Sequence, residues 1–158
     1  MKEFSRYALA YALWAVSVVV AGAVGLIVRD TISSGLTLSA ASVTGTSQAT
    51  DFYLGLQLRA AEPWTYIVFG ILLIMLIAFL DHYYRGGVVQ ERLLPRFLLI
   101  TAIEIGLLTL AHASRFIFGV ILDAVSWTSL ALPLVEAVVT GIFIWLYRRL
   151  SAQPALIK

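Results

Sequence analysis

Glu104, His112 and Arg115 fall inside one long apolar stretch, Arg96 to Phe118, and Glu136 falls inside the next. An ionisable side chain in hydrocarbon is costly enough that each of the four is a candidate functional residue by default. A carboxylate beside an imidazole can pass a proton, two carboxylates and a histidine can offer metal ligands, and all four can simply hold helices together. Depth along a helix narrows the choice. At about 1.5 Å per residue, Glu104 lies roughly 12 Å inward from Arg96, His112 roughly 24 Å and Arg115 roughly 28 Å, while Glu136 lies roughly 18 Å in from Arg148 on the next helix. At about 100° per residue Glu104 and Arg115 project within roughly 20° of each other, with His112 some 80° away. The spacing predicts a polar seam on one side of the third helix, facing the fourth. Arg115 is expected either to snorkel outward or to meet Asp123.

The same depths argue against tighter chemistry. Zinc needs its ligands near 2 Å, whereas these groups spread over about 12 Å of depth, so no metal site is expected. His82 and His112 differ in height by roughly 20 Å or more, too far to ligate one haem within a chain. The sequence holds no cysteine, no phosphate-binding glycine loop, no HExxH and no nucleophile elbow. Neither a cofactor nor enzymatic activity is expected.

The elements that must position these residues are membrane helices. The 158-residue chain is 61% hydrophobic and 13% charged, against roughly 45 to 50% hydrophobic in a soluble domain. Four stretches approach the roughly 20 apolar residues of a span: 7–28, 63–84, 96–118 and 125–147. The fold expected is all-α, a single membrane domain of four transmembrane helices in a bundle. The first apolar run of about 21 residues is too long for the 7 to 15 of a secretory leader and reads as a retained helix. The 11 basic residues sit mostly at the ends of the runs. That pattern obeys membrane topology and speaks against nucleic-acid binding. Eight of them (Lys2, Arg6, Arg85, Arg92, Arg96, Arg148, Arg149, Lys158) fall on the side of the termini and three (Arg29, Arg59, Arg115) on the other. Both termini are therefore expected in the cytoplasm. Trp64, Tyr66 and Trp127 then mark the outer interface, and Tyr83, Tyr84, Trp145 and Tyr147 the inner one. The localisation expected is the plasma membrane of a prokaryote. The absence of Cys and Asn suits a thermophile or a GC-rich genome.

Two connections frame the spans. The segment 29–62, rich in Ser, Thr, Ala and Gly, reads as a long outer loop folded over the bundle, with the alternative that Phe52, Tyr53, Leu54, Leu56 and Leu58 lie as a short strand or amphipathic turn on the membrane surface or on a partner. Glu62-Pro63-Trp64 reads as the start of the second helix. The inner loop 85–95 is expected to begin where Gly86-Gly87 break that helix, with Asp81 and Arg85 paired on its last turn. Arg85, Arg92 and Arg96 are candidates for anionic lipid headgroups. Pro133 is expected to kink the fourth helix one turn before Glu136.

Small residues four apart, Ser17, Ala21 and Gly25, then Ala102 and Gly106, then Ala137 and Gly141, offer ridges on which helices can approach closely in lipid. The second helix, almost unbroken as Ile71-Leu72-Leu73-Ile74-Met75-Leu76-Ile77, is expected to face lipid or another subunit.

From Tyr66 onward the order of features resembles the phosphate-starvation-inducible PsiE-like family of small bacterial and archaeal membrane proteins. The resemblance rests on Tyr83-Tyr84-Arg85-Gly86-Gly87, Leu94-Pro95-Arg96-Phe97, Ile100-Thr101-Ala102-Ile103 and Trp145-Leu146-Tyr147-Arg148-Arg149. It implies a four-helix membrane protein without established catalytic residues, so no site is carried over. The function expected is a non-catalytic accessory subunit of a larger membrane complex, respiratory or otherwise energy-converting, whose partners are the bilayer and other membrane subunits or further copies of itself. Two alternatives stand beside it: a small proton, ion or solute transporter using Glu104, Glu136 and His112, and an electron-transfer subunit that contacts quinone or haem. Against transport stands the absence of a visible inverted repeat.

Overall fold

The computed structural model describes the backbone of residues 2–43, 48–121 and 127–152, and the side chains of 4–35, 63–121 and 127–152. It is all-helical: α1 (Lys2–Val43), α2 (Gln48–Val89), α3 (Leu93–Ile121), a 3-10 turn (Trp127–Leu130) and α4 (Ala131–Ser151). Four stretches, Phe4–Gly35, Pro63–Val89, Leu93–Ile121 and Trp127–Ser151, are long and apolar enough to cross a membrane.

The first two helices are longer than the sequence suggests. Residues 29–43 and 48–62, expected as an outer loop, are helical, and Pro63 lies inside α2 instead of opening it. The side chains of the aromatic-aliphatic segment 52–58 lie outside the described residues. At 42 residues each, α1 and α2 would extend roughly 63 Å, about twice the hydrocarbon thickness of a bilayer. Tertiary contacts hold the start of the α1 extension. Arg115 of α3 hydrogen-bonds Thr31, and a side chain added at Gly35 would meet the Phe118 ring at 3.1 Å.

The glycine pair likewise does not end α2, which continues to Val89. Its value is proximity: a Cβ on Gly86 would lie 2.7 Å from Nη1 of Arg96, and one on Gly87 would lie 3.0 Å from Cδ of the same side chain. The reversal itself falls on Glu91, whose φ of 55° is left-handed. The Glu91 N–H donates to the Val88 carbonyl and the Arg92 N–H to the Gly87 carbonyl, the two bonds of a Schellman ending. Pro133 also differs from expectation. It occupies the first turn of α4, where a missing N–H breaks no helical bond, and so begins the helix.

The helices form an open row. α1 packs on α2 and on α3, α4 packs on α3, and α2 touches α3 only sparsely. Among the described residues α4 rests on α3 and the 3-10 turn alone. The core lies near the N-terminal end of α1, where Leu80, Tyr84 and Ile100 gather Leu13, Trp14, Val18, Tyr83, Leu93 and Phe97. Further along, α2 and α3 diverge over the small residues of α1, leaving a cleft.

Candidate functional site

α3 is the strut on which three of the four ionisable residues sit, and it sends them to different neighbours. His112 turns toward α4. Its Nδ1 shares hydrogen bonds with both carboxyl oxygens of Glu136, at 2.9 and 3.0 Å, in a contact where the side chains retain only 19% and 11% of their exposure. This pair, seated beside the packing of Gly106 against the Thr140 methyl, bolts α4 to α3. Oγ1 of Thr140, one turn after Glu136, is buried without a hydrogen-bond partner among the described residues.

Arg115 turns the other way. Its Nε donates to Oγ1 of Thr31 at 2.9 Å and its Nη2 to the carbonyl of Ile27 at 3.4 Å, while the Thr31 hydroxyl donates to that same carbonyl at 2.8 Å. The guanidinium thus ties α3 to α1. Asp123, the alternative partner for Arg115, lies outside the described residues.

Glu104 shares Arg115's side of α3, as their 20° separation requires. It is 6% exposed, and its Oε1 has no hydrogen-bond partner among the described residues. It stands in the wall of the cleft between α1, α2 and α3, a cavity of about 280 Å³. Aliphatic and aromatic side chains such as Val24, Phe69, Leu76 and Leu107 make up the rest of that wall, and among the described residues Glu104 is its sole polar member.

The single seam expected along the α3–α4 interface is therefore two sites. The helical angles hold, but 80° of rotation carries His112 to α4 and leaves Glu104 and Arg115 on the side of α1. Of the three groups considered for a proton relay, His112 and Glu136 meet and Glu104 lies apart.

Comparison by sequence and by structure finds no matching family model, no matching curated protein and no matching solved structure.

The packing ridges divide in a similar way. Ser17, Ala21 and Ala102 are buried, and Gly106 receives Thr140, but Ala137 and Gly141 lie on the exposed face of α4. Gly25 lines the cleft with nothing within 4 Å of where its Cβ would be. Among the headgroup candidates, Arg85 pairs with Asp81 at 3.0 Å, as the spacing predicts, and Arg92 is exposed. Arg96 is committed to the turn: it donates to the Tyr83 carbonyl and to Oε1 of Gln90, with its guanidinium 4.7 Å from the Tyr83 ring centroid. His82 is exposed near the end of α2. Among the described residues no group of three or more His, Asp or Glu is placed to hold a metal ion.

Two polar contacts escape sequence reasoning. Tyr84, expected as an interfacial aromatic, is 1% exposed and shares a 2.7 Å hydrogen bond with Ser17. A serine among the small residues of α1 is the available signal. Arg29, expected in the outer loop, is buried. It stacks over the Tyr66 ring at 3.6 Å, reaches Oγ1 of Thr65 at 3.4 Å and pairs with Asp30 at 3.0 Å. Its signal is position: antiparallel spans bring the end of the first apolar run level with the start of the second.

Proposed function

We propose that this protein is a non-catalytic subunit of a larger integral-membrane complex, docked through the outer face of α4. The observation that carries the reading is that α4 rests, among the described residues, on α3 and the 3-10 turn alone while its small residues Ala137 and Gly141 point away from the rest of the chain. Lipid is served equally well by bulky aliphatic side chains, whereas a small-residue groove suits the close approach of another helix backbone. The exposed apolar run of α2 adds a second lateral surface.

The setting proposed is the plasma membrane of a prokaryote with both termini cytoplasmic, supported by the eight-to-three distribution of basic residues. A respiratory or other energy-converting complex is the class proposed. Relationship to the PsiE-like family belongs to the same proposal and is supported by the motifs of the last three helices. Transport through Glu104, Glu136 and His112 has less support, because His112 and Glu136 pair with each other between α3 and α4 while Glu104 lies apart from them in the cleft on the side of α1.

Extraction in mild detergent tests the reading. Other membrane polypeptides should remain with the chain, and Gly141→Leu or Ala137→Leu should release them while the chain itself stays folded. Recovery of the chain alone as a monomer would overturn it.

A further inference from the structure

The cleft between α1, α2 and α3 is built like a binding site for a single kind of molecule. Its roughly 280 Å³ is walled by apolar side chains from three helices, so a water entering it would find one polar partner instead of the two to four that hold ordered water in place. Glu104, more than nine-tenths buried, stands in its wall with Oε1 unpartnered among the described residues. It lies roughly 16 Å from the first residue of α3, close to mid-helix.

Among the described residues no cation answers that carboxylate. Arg96 is spent on the Tyr83 carbonyl and Gln90, Arg115 on Thr31 and Ile27, and Arg29 on Asp30, Thr65 and the Tyr66 ring. The Tyr84 hydroxyl is already bonded to Ser17. The small residues at the back of the cleft keep it open, for at Gly25 nothing approaches within 4 Å of the missing Cβ.

We propose that this cleft binds a lipophilic organic cation, an ammonium carried on an apolar body, with the body against Phe69, Leu76 and Leu107 and the charge on Glu104. A buried charge is tolerated when it is paired. An amphiphilic cation supplies both the pairing charge and the apolar surface that fills the space, which neither a metal ion nor a neutral hydrocarbon does. The inference concerns a different face of the molecule from α4 and stands independently of the proposed assembly.

The full chain in phosphatidylcholine nanodiscs, dialysed to equilibrium against radiolabelled decyltrimethylammonium with empty nanodiscs subtracted, provides the test. Saturable binding at one site per chain is expected. Glu104→Gln, which keeps the shape and removes the charge, should weaken it by about tenfold or more, the equivalent of one lost charge contact. Gly25→Leu, which fills the cleft from a position with room for a side chain, should abolish it. Decanol, with a similar tail and no charge, should compete poorly. Uptake no greater than that of empty discs, unchanged binding to Glu104→Gln, or decanol binding as tightly as the ammonium would each overturn the proposal.

Discussion

Glu104 is the residue at which folding and function pull apart. A carboxylate among aliphatic groups with an unpartnered oxygen destabilises the protein that holds it, by about 1 to 3 kcal/mol for an unsatisfied buried polar group. Glu104→Leu should therefore raise the thermal midpoint of the purified protein in detergent, and a lower midpoint would show that Glu104 is stabilising. Stabilisation on removal is the pattern of a group kept for a task other than folding. Ser17 and Tyr84 present the opposite case, a satisfied buried bond at 2.7 Å. Ser17→Ala and Tyr84→Phe should each cost about 1 kcal/mol, and the double variant little more than either alone, because the second change removes a group the first has already orphaned. Strict additivity in denaturant titrations would mean that the bond is not formed. Much of the residue scale is legible in the sequence, since helical rotation alone separates Glu104 and Arg115 from His112. Which neighbour each faces is not, because rotation about one helix says nothing about where the others stand.

At the scale of elements, the reversal between α2 and α3 rests on one left-handed residue that is not glycine. For an L-residue the left-handed conformation costs roughly 1 to 2 kcal/mol, most for β-branched side chains that crowd the backbone. Glu91 also forms an exposed ion pair with Arg6, of the kind worth at most about 1 kcal/mol. Glu91→Gly and Glu91→Val lose that pair equally and differ only in backbone tolerance. The glycine variant should accordingly be more stable than the valine variant by about 1 kcal/mol or more in denaturant titrations, and equal stabilities would place the reversal elsewhere. Here the sequence misleads in an instructive way: Gly86-Gly87 looks like the break, yet both glycines are helical and serve to admit Arg96. The apolar runs place the four spans well. They do not place helix ends, because Ser, Thr and Ala beyond an apolar run are as compatible with helix as with loop, and contacts such as Phe118 on Gly35 hold the helix there.

The whole molecule is an open row in which α4 hangs from α3, and this makes its stability uneven. Among the described residues the core of Leu80, Tyr84 and Ile100 joins α1, α2 and α3. α4 is held by packing along one face and by the His112–Glu136 contact, a pair across that interface which leaves a buried carboxylate if the imidazole is removed. Leaving a buried polar group without its partner costs about 1 to 3 kcal/mol, whereas replacing both partners by apolar groups of similar shape is near neutral or stabilising. His112→Leu should therefore loosen α4 selectively, and His112→Leu with Glu136→Leu should restore it. The measurement is amide hydrogen exchange of the full chain in nanodiscs. Faster exchange should be confined to 131–151 in the single variant, with 80–100 unchanged, and exchange in 131–151 should return toward the native rate in the double variant. Acceleration spread evenly over all four helices would mean that α4 and the α1–α2–α3 core unfold as one unit. The outer face of α4 would then be a wall of a single cooperative structure, not the attached arm through which this protein is proposed to join its complex.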